Sequence, residues 1–182
     1  MAVLINAKPL AGFDRPLEML ADCHRRVEHF LQVQARVVER YAGRALDDEG
    51  RRALAAARDY FAQSAPRHTA DEEQSLFPRM QAAGIAEADT GGVVDRLLHD
   101  HKTANDLHAR IEYRLDEWLA GEHALTDEAW QALRSDLAAL QRHYAEHIGL
   151  EEQQVFPAAA RGLTARQLRD IGNEMRHRRG LS

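Results

Sequence analysis

The sequence predicts an all-α protein built as an up-down-up-down four-helix bundle with a short fifth helix at its C-terminal end. In four long segments, apolar residues recur three and four positions apart, which is the spacing of one helix face. Proline, glycine and capping residues mark where these segments start and stop. No segment has a strand pattern and the connections are short, so antiparallel packing of neighbouring helices is the most economical arrangement.

Residues 14–43 and 47–84 predict the first two helices. The first segment offers a capping residue at Asp14, an early proline and a closing glycine. The second opens on two aspartates, is rich in alanine, leucine and arginine, and stops at a glycine. Pro66 and Pro78 lie inside it and should kink or break it, because each proline removes a backbone donor and crowds the preceding turn.

The second half of the chain predicts three more helices. One covers residues 92–121, and the next begins after the capping residue Thr126. A short fifth helix follows from Thr164, where the sequence T-A-R-Q has the form of a capping box. The chain is long enough for one domain with a real core and too short for two ordinary ones. The predicted bundle spans about residues 14–160, the C-terminal helix about 164–179, and the single domain 1–182.

Composition limits what the protein can be. Hydrophobic residues make up 45% of the chain and charged residues 29%, which is the balance of a soluble globular protein. No apolar run approaches the roughly 20 residues of a transmembrane helix, and the N-terminal stretch lacks a basic start or a clear cleavage site, so we expect a cytoplasmic protein without membrane contact. A formal charge of -5 gives no electrostatic reason to bind nucleic acid, and the basic end EMRHRRGLS is expected to be a solvated helix end.

One motif occurs twice. Residues 68–78 read HTADEEQSLFP and residues 147–157 read HIGLEEQQVFP, on the second and fourth predicted helices. In each copy a histidine precedes a glutamate by four positions, so an imidazole and a carboxylate lie side by side on one helix face and can hold a cation. Helices at opposite corners of such a bundle run the same way and can bring the two pairs together across the core. The pairs are His68 with Glu72 and His147 with Glu151.

Two further histidines lie on apolar faces, His24 on the first helix and His101 on the third. Ionisable groups in a bundle core are costly unless they are paired or bound to metal. The single cysteine, Cys23, cannot form a thiolate cage, and imidazole with carboxylate favours iron, then manganese or zinc. Six ligands exceed what one metal with an open position needs, so two metals about 3.5 to 4 Å apart and bridged by the two glutamates fit better. The candidate ligands are His24, His68, Glu72, His101, His147 and Glu151.

At these residues the chain resembles the hemerythrin-like (HHE cation-binding) family. The family pattern is a lone histidine on the first helix, H-x-x-x-E on the second, a lone histidine on the third and H-x-x-x-E on the fourth, and all four elements are present here in that order. The resemblance covers about residues 14–160. It implies a non-haem di-iron centre in a four-helix bundle, with an oxo, hydroxo or water bridge beside the two glutamates.

The chain departs from the oxygen-carrying members of that family on the third helix. Those members have two histidines there, one turn apart, whereas Asn105 stands one turn after His101 in this sequence. A fifth imidazole could instead come from His143, one turn before His147, or from His108.

Residues beside the candidates have plainer explanations. Glu73 and Glu152 turn about 100° away from the predicted metal face, so we expect them on the helix surface or in hydrogen bonds that support a ligand. Phe77 and Phe156 are expected to cover one end of the site or to pack as ordinary core residues. Cys23 is expected to be a packed thiol.

Two classes of function fit such a site. The first is binding or sensing, in which a di-iron centre takes up oxygen, nitric oxide or peroxide, or reports iron. The second is an enzyme that resembles the di-iron proteins that repair iron-sulfur clusters, or a scavenger of nitric oxide or peroxide. Those repair proteins usually carry a cysteine-bearing domain before the bundle, and the first helix here begins near residue 14, which favours binding or sensing. A colourless, redox-silent protein would instead indicate structural zinc.

The fifth predicted helix bears on partners. Leu168, Ile171 and Met175 form an apolar stripe that either packs back on the bundle or contacts a protein partner or a second copy of the chain. We expect it to pack back.

Overall fold

A computed structural model describes residues 11–85 and 90–181, and all regular secondary structure within these ranges is helical. None of the helices in these ranges has the length and apolar character needed to cross a membrane. The predicted all-α bundle is confirmed. The α-helices are α1 (Pro16–Arg40), α2 (Asp48–Gln63), α3 (Ala65–Asp71), α4 (Phe77–Ala82), α5 (Val93–Ala120), α6 (Asp127–Leu150), α7 (Phe156–Gly162) and α8 (Ala165–Arg178), and two π-helical turns are π1 (Glu72–Leu76) and π2 (Glu151–Val155).

Four legs make up the bundle. The first leg is α1, the second runs from α2 through α3 and π1 to α4, the third is α5, and the fourth runs from α6 through π2 to α7. Helix α1 packs against α2 and α6, and α5 packs against the same two helices. The second and fourth legs, which carry the repeated motif, therefore lie at opposite corners.

Capping residues define where the later helices begin. Thr126 accepts a hydrogen bond from the backbone three residues further on at 3.2 Å. The capping box predicted at Thr164 is present, because Gln167 donates its backbone N–H to the threonine hydroxyl and accepts the threonine N–H at 2.9 Å. The cap predicted at Asp14 is wrong: Arg15 directly precedes α1, and no side chain caps the first turn.

Prolines act on the second leg in two ways. At Pro66 the helix breaks, since α2 ends at Gln63 and the proline falls in the first turn of α3, where its missing N–H costs no bond. At Pro78 the helix continues, because the N–H of Phe77 reaches the carbonyl of Glu72, five residues back. The wider turn relieves the clash that a proline ring makes with the carbonyl four residues before it.

The fourth leg contains the same device. The N–H of Phe156 bonds the carbonyl of Glu151 immediately before Pro157. Each copy of the motif thus folds as a helix in which the first glutamate opens a π turn and the Phe-Pro pair follows it. Turns of this kind are rare and are frequently found at functional sites.

Two apolar clusters fill the bundle, one on each side of a polar layer. On α1, Leu20 belongs to one cluster and Val27 to the other, and the buried His24 lies between them. His101 divides α5 in the same way. The helices are therefore fixed by apolar packing above and below the layer that holds the candidate ligands.

The C-terminal helix packs back on the bundle, as expected. Ile171 and Met175 are buried in the cluster that contains the phenylalanines of both motifs. Arg178 and Arg179 are not solvated, however, because each donates to the buried carboxylate of Asp71 at 2.7 Å. The expected solvated helix end is wrong for these two arginines, since an acidic side chain from the second leg compensates their charge.

Candidate metal centre

The six candidate ligands are brought together in the polar layer and are all buried. The lone histidines come from α1 and α5, at opposite corners, and the two motif pairs come from the second and fourth legs. Each glutamate is the first residue of its π turn, so the change in helix geometry begins at the carboxylate itself.

The layer divides into two groups of four residues whose ligand atoms lie within 4.8 Å of one another. In the first group, Nε2 of His24 is 3.0 Å from Oε2 of Glu151, and Nε2 of His68 is 3.3 Å from Oε1 of Glu72. In this group two imidazoles thus face one oxygen from each carboxylate.

The second group uses the other oxygens of the same two carboxylates. Nε2 of His101 is 3.4 Å from Oε2 of Glu72, and Nε2 of His147 is 3.4 Å from Oε1 of Glu151. Each carboxylate therefore presents one oxygen to each group. The arrangement offers two neighbouring positions, each with two nitrogen and two oxygen donors.

These converging atoms lack hydrogen-bond partners among the described residues. Both carboxylate oxygens of Glu72 and of Glu151, and Nε2 of His24, are buried and make no hydrogen bond within the described ranges, although some N–O separations are short. Buried polar atoms without partners are costly. A cation at each position would satisfy them, so the residues present fit metal binding.

The second glutamate of each doublet supports a histidine on another leg. Nδ1 of His101 donates to Oε1 of Glu73 at 2.7 Å, and Nδ1 of His24 donates to Oε1 of Glu152 at 3.0 Å. A carboxylate on Nδ1 fixes the ring orientation, makes Nε2 a better ligand and directs it at the centre. Of the two roles expected for Glu73 and Glu152, hydrogen-bond support of a ligand is the one the structure shows.

The remaining histidines of the area lie outside both groups. Nε2 of His143 donates to the backbone carbonyl of Asp100 at 2.8 Å, so this nitrogen is engaged away from the candidate ligands. Nε2 of His108 lies 3.1 Å from the hydroxyl of Tyr144. Neither residue belongs to either group of candidate ligands.

Aromatic rings close one end of the layer. The ring of Phe156 stacks on His24 with centroids 5.4 Å apart, and the ring of Phe77 lies parallel to His101 at 6.4 Å. Both phenylalanines also belong to the apolar cluster on that side. Each phenylalanine therefore covers the site and also packs in the core, so both roles expected for these residues are present.

The opposite side of the layer faces a pocket of about 560 Å³ between the second leg and α5. Three candidate ligands line it, one from the first group and two from the second: His68, His101 and His147. It forms where the break at Pro66 separates α2 from α3. The polar residues that also line it are Thr69, Glu73, Gln74, Asn105, His108, Glu112 and Tyr144.

The pKa values of the layer favour ion pairs between its histidines and its carboxylates. Burial lowers the pKa of His24, but the neighbouring carboxylates outweigh it and raise that pKa to about 11. The pKa of His101 rises to about 9 for the same reason, and burial lowers that of His68. Burial acts to raise the pKa of Glu72, yet the surrounding histidines hold it well below its usual range. A metal ion must displace protons from His24 and His101, so rising pH should favour binding.

Comparison with known proteins agrees with this geometry. Residues 15–159 match the family described as Hemerythrin HHE cation binding domain. The chain belongs to the hemerythrin HHE cation-binding family.

This hemerythrin-family protein has relatives in several bacteria. It is 25% identical over 181 residues to an uncharacterized protein of Haemophilus influenzae, a match that covers 97% of this chain and 96% of the relative. It is 32% identical over 95 residues to the iron-sulfur cluster repair protein YtfE of Dickeya chrysanthemi, which is 52% of this chain and 41% of that protein. Over 108 residues it is 30% identical to the YtfE of Edwardsiella ictaluri, which is 59% of this chain and 47% of that protein. The matched segments thus span less than half the length of either repair protein.

Removal of a shared carboxylate should cost metal at both positions. We expect Glu72→Ala and Glu151→Ala to lose at least one of two bound metal ions, because each change removes one oxygen donor from each group. Glu146→Ala is the matched control, since it removes an exposed carboxylate one residue before His147. Metal content per chain after anaerobic reconstitution measures the effect, and equal content in all three variants would contradict the assignment.

Loss of a supporting carboxylate should weaken metal binding without abolishing it. Glu73→Gln and Glu152→Gln keep the side-chain shape but remove the charge that holds His101 or His24, and changes of this kind cost about 10- to 100-fold in metal affinity. Competition with a chelator of known affinity gives the dissociation constants, and Glu146→Gln serves as the control. Unchanged affinity in both variants would mean that Glu73 and Glu152 have no part in metal binding.

Proposed function

We propose that this protein holds two iron ions and binds a small molecule at them. The observation that carries the proposal is that the two groups share both carboxylates, with one oxygen facing each group. A nitrogen-rich set with carboxylates favours iron, with manganese or zinc as alternatives. We expect an oxo, hydroxo or water bridge beside the carboxylates. One iron would be held by His24 and His68, the other by His101 and His147, with Glu72 and Glu151 as bridges.

The irons, when bound, would supply an open coordination position and redox equivalents, which the side chains cannot offer. The protein contributes orientation and enclosure. Glu73 and Glu152 fix two of the histidine rings, and Phe77 and Phe156 close the site on one side. A small molecule would therefore approach from the pocket side, where three of the candidate histidines line the wall.

The lining of the pocket favours neutral ligands such as oxygen, nitric oxide or hydrogen peroxide. Burial lowers the pKa of His108 to about 4, so this imidazole is neutral near pH 7, and burial raises the pKa of Tyr144. These two side chains bond each other and can offer a hydrogen bond without a charge. No lysine or arginine lines the pocket in the described ranges, whereas Glu73 and Glu112 do. Negative charge at the wall disfavours the approach of anions.

Repair of iron-sulfur clusters is a second candidate. Two relatives at 32% and 30% identity are named iron-sulfur cluster repair proteins, and their matches cover 52% and 59% of this chain. If this candidate holds, the iron-loaded protein should restore activity to an enzyme whose iron-sulfur cluster has been damaged by nitric oxide. A protein that only binds or senses small molecules should leave that enzyme inactive.

The metal content and visible spectrum of the purified protein test the proposed centre directly. We expect about two irons per chain and a near-ultraviolet absorption band that bleaches on anaerobic reduction. Titration with oxygen or nitric oxide should then change the spectrum of the reduced protein. One metal per chain, or zinc without absorption, would overturn the di-iron proposal while leaving the fold unchanged.

Charge at the pocket mouth should control anion binding. Glu112→Lys should tighten azide binding to the oxidised protein by up to about tenfold at low salt, and the gain should shrink at high salt because exposed charges are screened. Glu128→Lys makes the same charge change at an exposed position on α6 outside the pocket lining. Azide titration followed by the visible spectrum measures both variants. An equal gain in the two, or one that salt does not alter, would mean that the pocket wall does not select ligands by charge.

A further inference from the structure

A buried acidic side chain stands directly beside a candidate bridging ligand. Asp71 is fully buried and immediately precedes Glu72. Its two carboxylate oxygens accept one hydrogen bond each from Arg178 and Arg179, both at 2.7 Å, across more than a hundred positions of sequence. The C-terminal end of α8 and the residue after it therefore compensate a charge at the residue that directly precedes π1.

The same helix also holds the other end of π1. The buried hydroxyl of Ser75 donates to Glu174 at 2.5 Å and accepts from Arg178. Arg79 donates to Glu174 at 2.6 Å and to the carbonyl of Ser75 at 2.9 Å. Contacts from α8 thus bracket the turn on both sides.

Further packing contacts fix the position of helix α8. Ile171 and Met175 are buried against the cluster that contains Phe77. Gly172 lies under the backbone of Phe13, where a Cβ atom would come within 1.9 Å of the carbonyl oxygen. Helix α8 is packed between the N-terminal segment of the described chain and π1. Because its own position is fixed, it can hold π1 in place.

The two copies of the motif differ at the residues that α8 contacts. The histidine, both glutamates, phenylalanine and proline are the same in each copy. The second copy has apolar or uncharged residues where the first has the side chains that bond α8. The corresponding positions are Asp71 and Leu150, Ser75 and Gln154, and Arg79 and Ala158.

We propose that α8 is a positioning element of the metal centre. Through Asp71 and Ser75, its arginines hold π1 in the geometry that directs Glu72 into the layer and Glu73 towards His101. The inference rests on the proposed metal function. A carboxylate as buried as Asp71 is strongly unfavourable without its partners, so release of α8 disturbs the turn. Coupling is reciprocal: metal binding stabilises the docked helix to the same extent that docking strengthens metal binding.

A paired set of double variants tests the proposal. Arg178→Gln with Arg179→Gln removes the contacts to Asp71, and Arg166→Gln with Arg169→Gln removes the same charge from exposed positions of the same helix. We expect Co²⁺ or anaerobic Fe²⁺ to bind at least tenfold more weakly to the first protein and with unchanged affinity to the second. Arg178→Lys with Arg179→Lys should retain part of the affinity, since lysine keeps the charge. Equal affinity of both glutamine variants for metal would overturn the proposal.

Hydrogen exchange separates positioning from general stability, and its measurement on the wild type needs no variant to fold. In the wild-type protein, addition of metal should slow amide exchange in α8 as well as in π1, while the Arg178→Gln/Arg179→Gln protein should lose the protection of α8 and keep that of π2. Unchanged exchange in α8 on metal addition to the wild type would contradict the coupling. If the wild type and the exposed-arginine control bind no metal at all, the proposed metal function fails, and the role of α8 fails with it.

Discussion

Six ionisable side chains from four legs meet in one buried layer, and the free energy of placing them there constrains the rest of the bundle. Carboxylate oxygens of Glu72 and Glu151 have no hydrogen-bond partner within the described ranges, and such groups are tolerated inside a protein only when a charge or a metal compensates them. The apolar clusters above and below the layer hold the helices at the separation that makes these atoms converge. The same packing of the helices therefore determines both the apolar core and the positions of the candidate metal ligands.

The π turns allow each helical leg to continue through a proline directly after the turn that carries a candidate ligand. In a regular helix, Pro78 would crowd the carbonyl four residues earlier, and the leg would break there as it does at Pro66. The wider turn keeps the leg continuous. It also lets consecutive glutamates serve different purposes, one facing the layer and the next reaching a histidine on a neighbouring leg.

Much of the fold was predictable because helix periodicity is a local property. Spacing of four places His68 beside Glu72 on one face regardless of the rest of the chain, and the structure brings the six candidate residues together. The support given by Glu73 and Glu152 was not predictable in detail, since a regular helix turns them away, and only their doubling in both copies hinted at a shared purpose. The pairing of Asp71 with the end of α8 depends on the path of the whole chain, which composition and charge do not reveal. At Asp14 a favourable local signal did not hold, because α1 starts on its proline without a side-chain cap.

The π turns also bear on how this chain can change in length. In a regular α-helix each N–H bonds the carbonyl four residues back, so deletion of one residue between Glu72 and Phe77 would convert the π turn to α geometry and bring the ring of Pro78 against the carbonyl four residues before it. Connections such as that between α5 and α6 lie on the surface and tolerate insertion or deletion far better. The interval from glutamate to Phe-Pro is thus a fixed length in both copies. We expect that a relative that keeps the histidine and glutamate but alters that interval does not close its site with a Phe-Pro pair in this way.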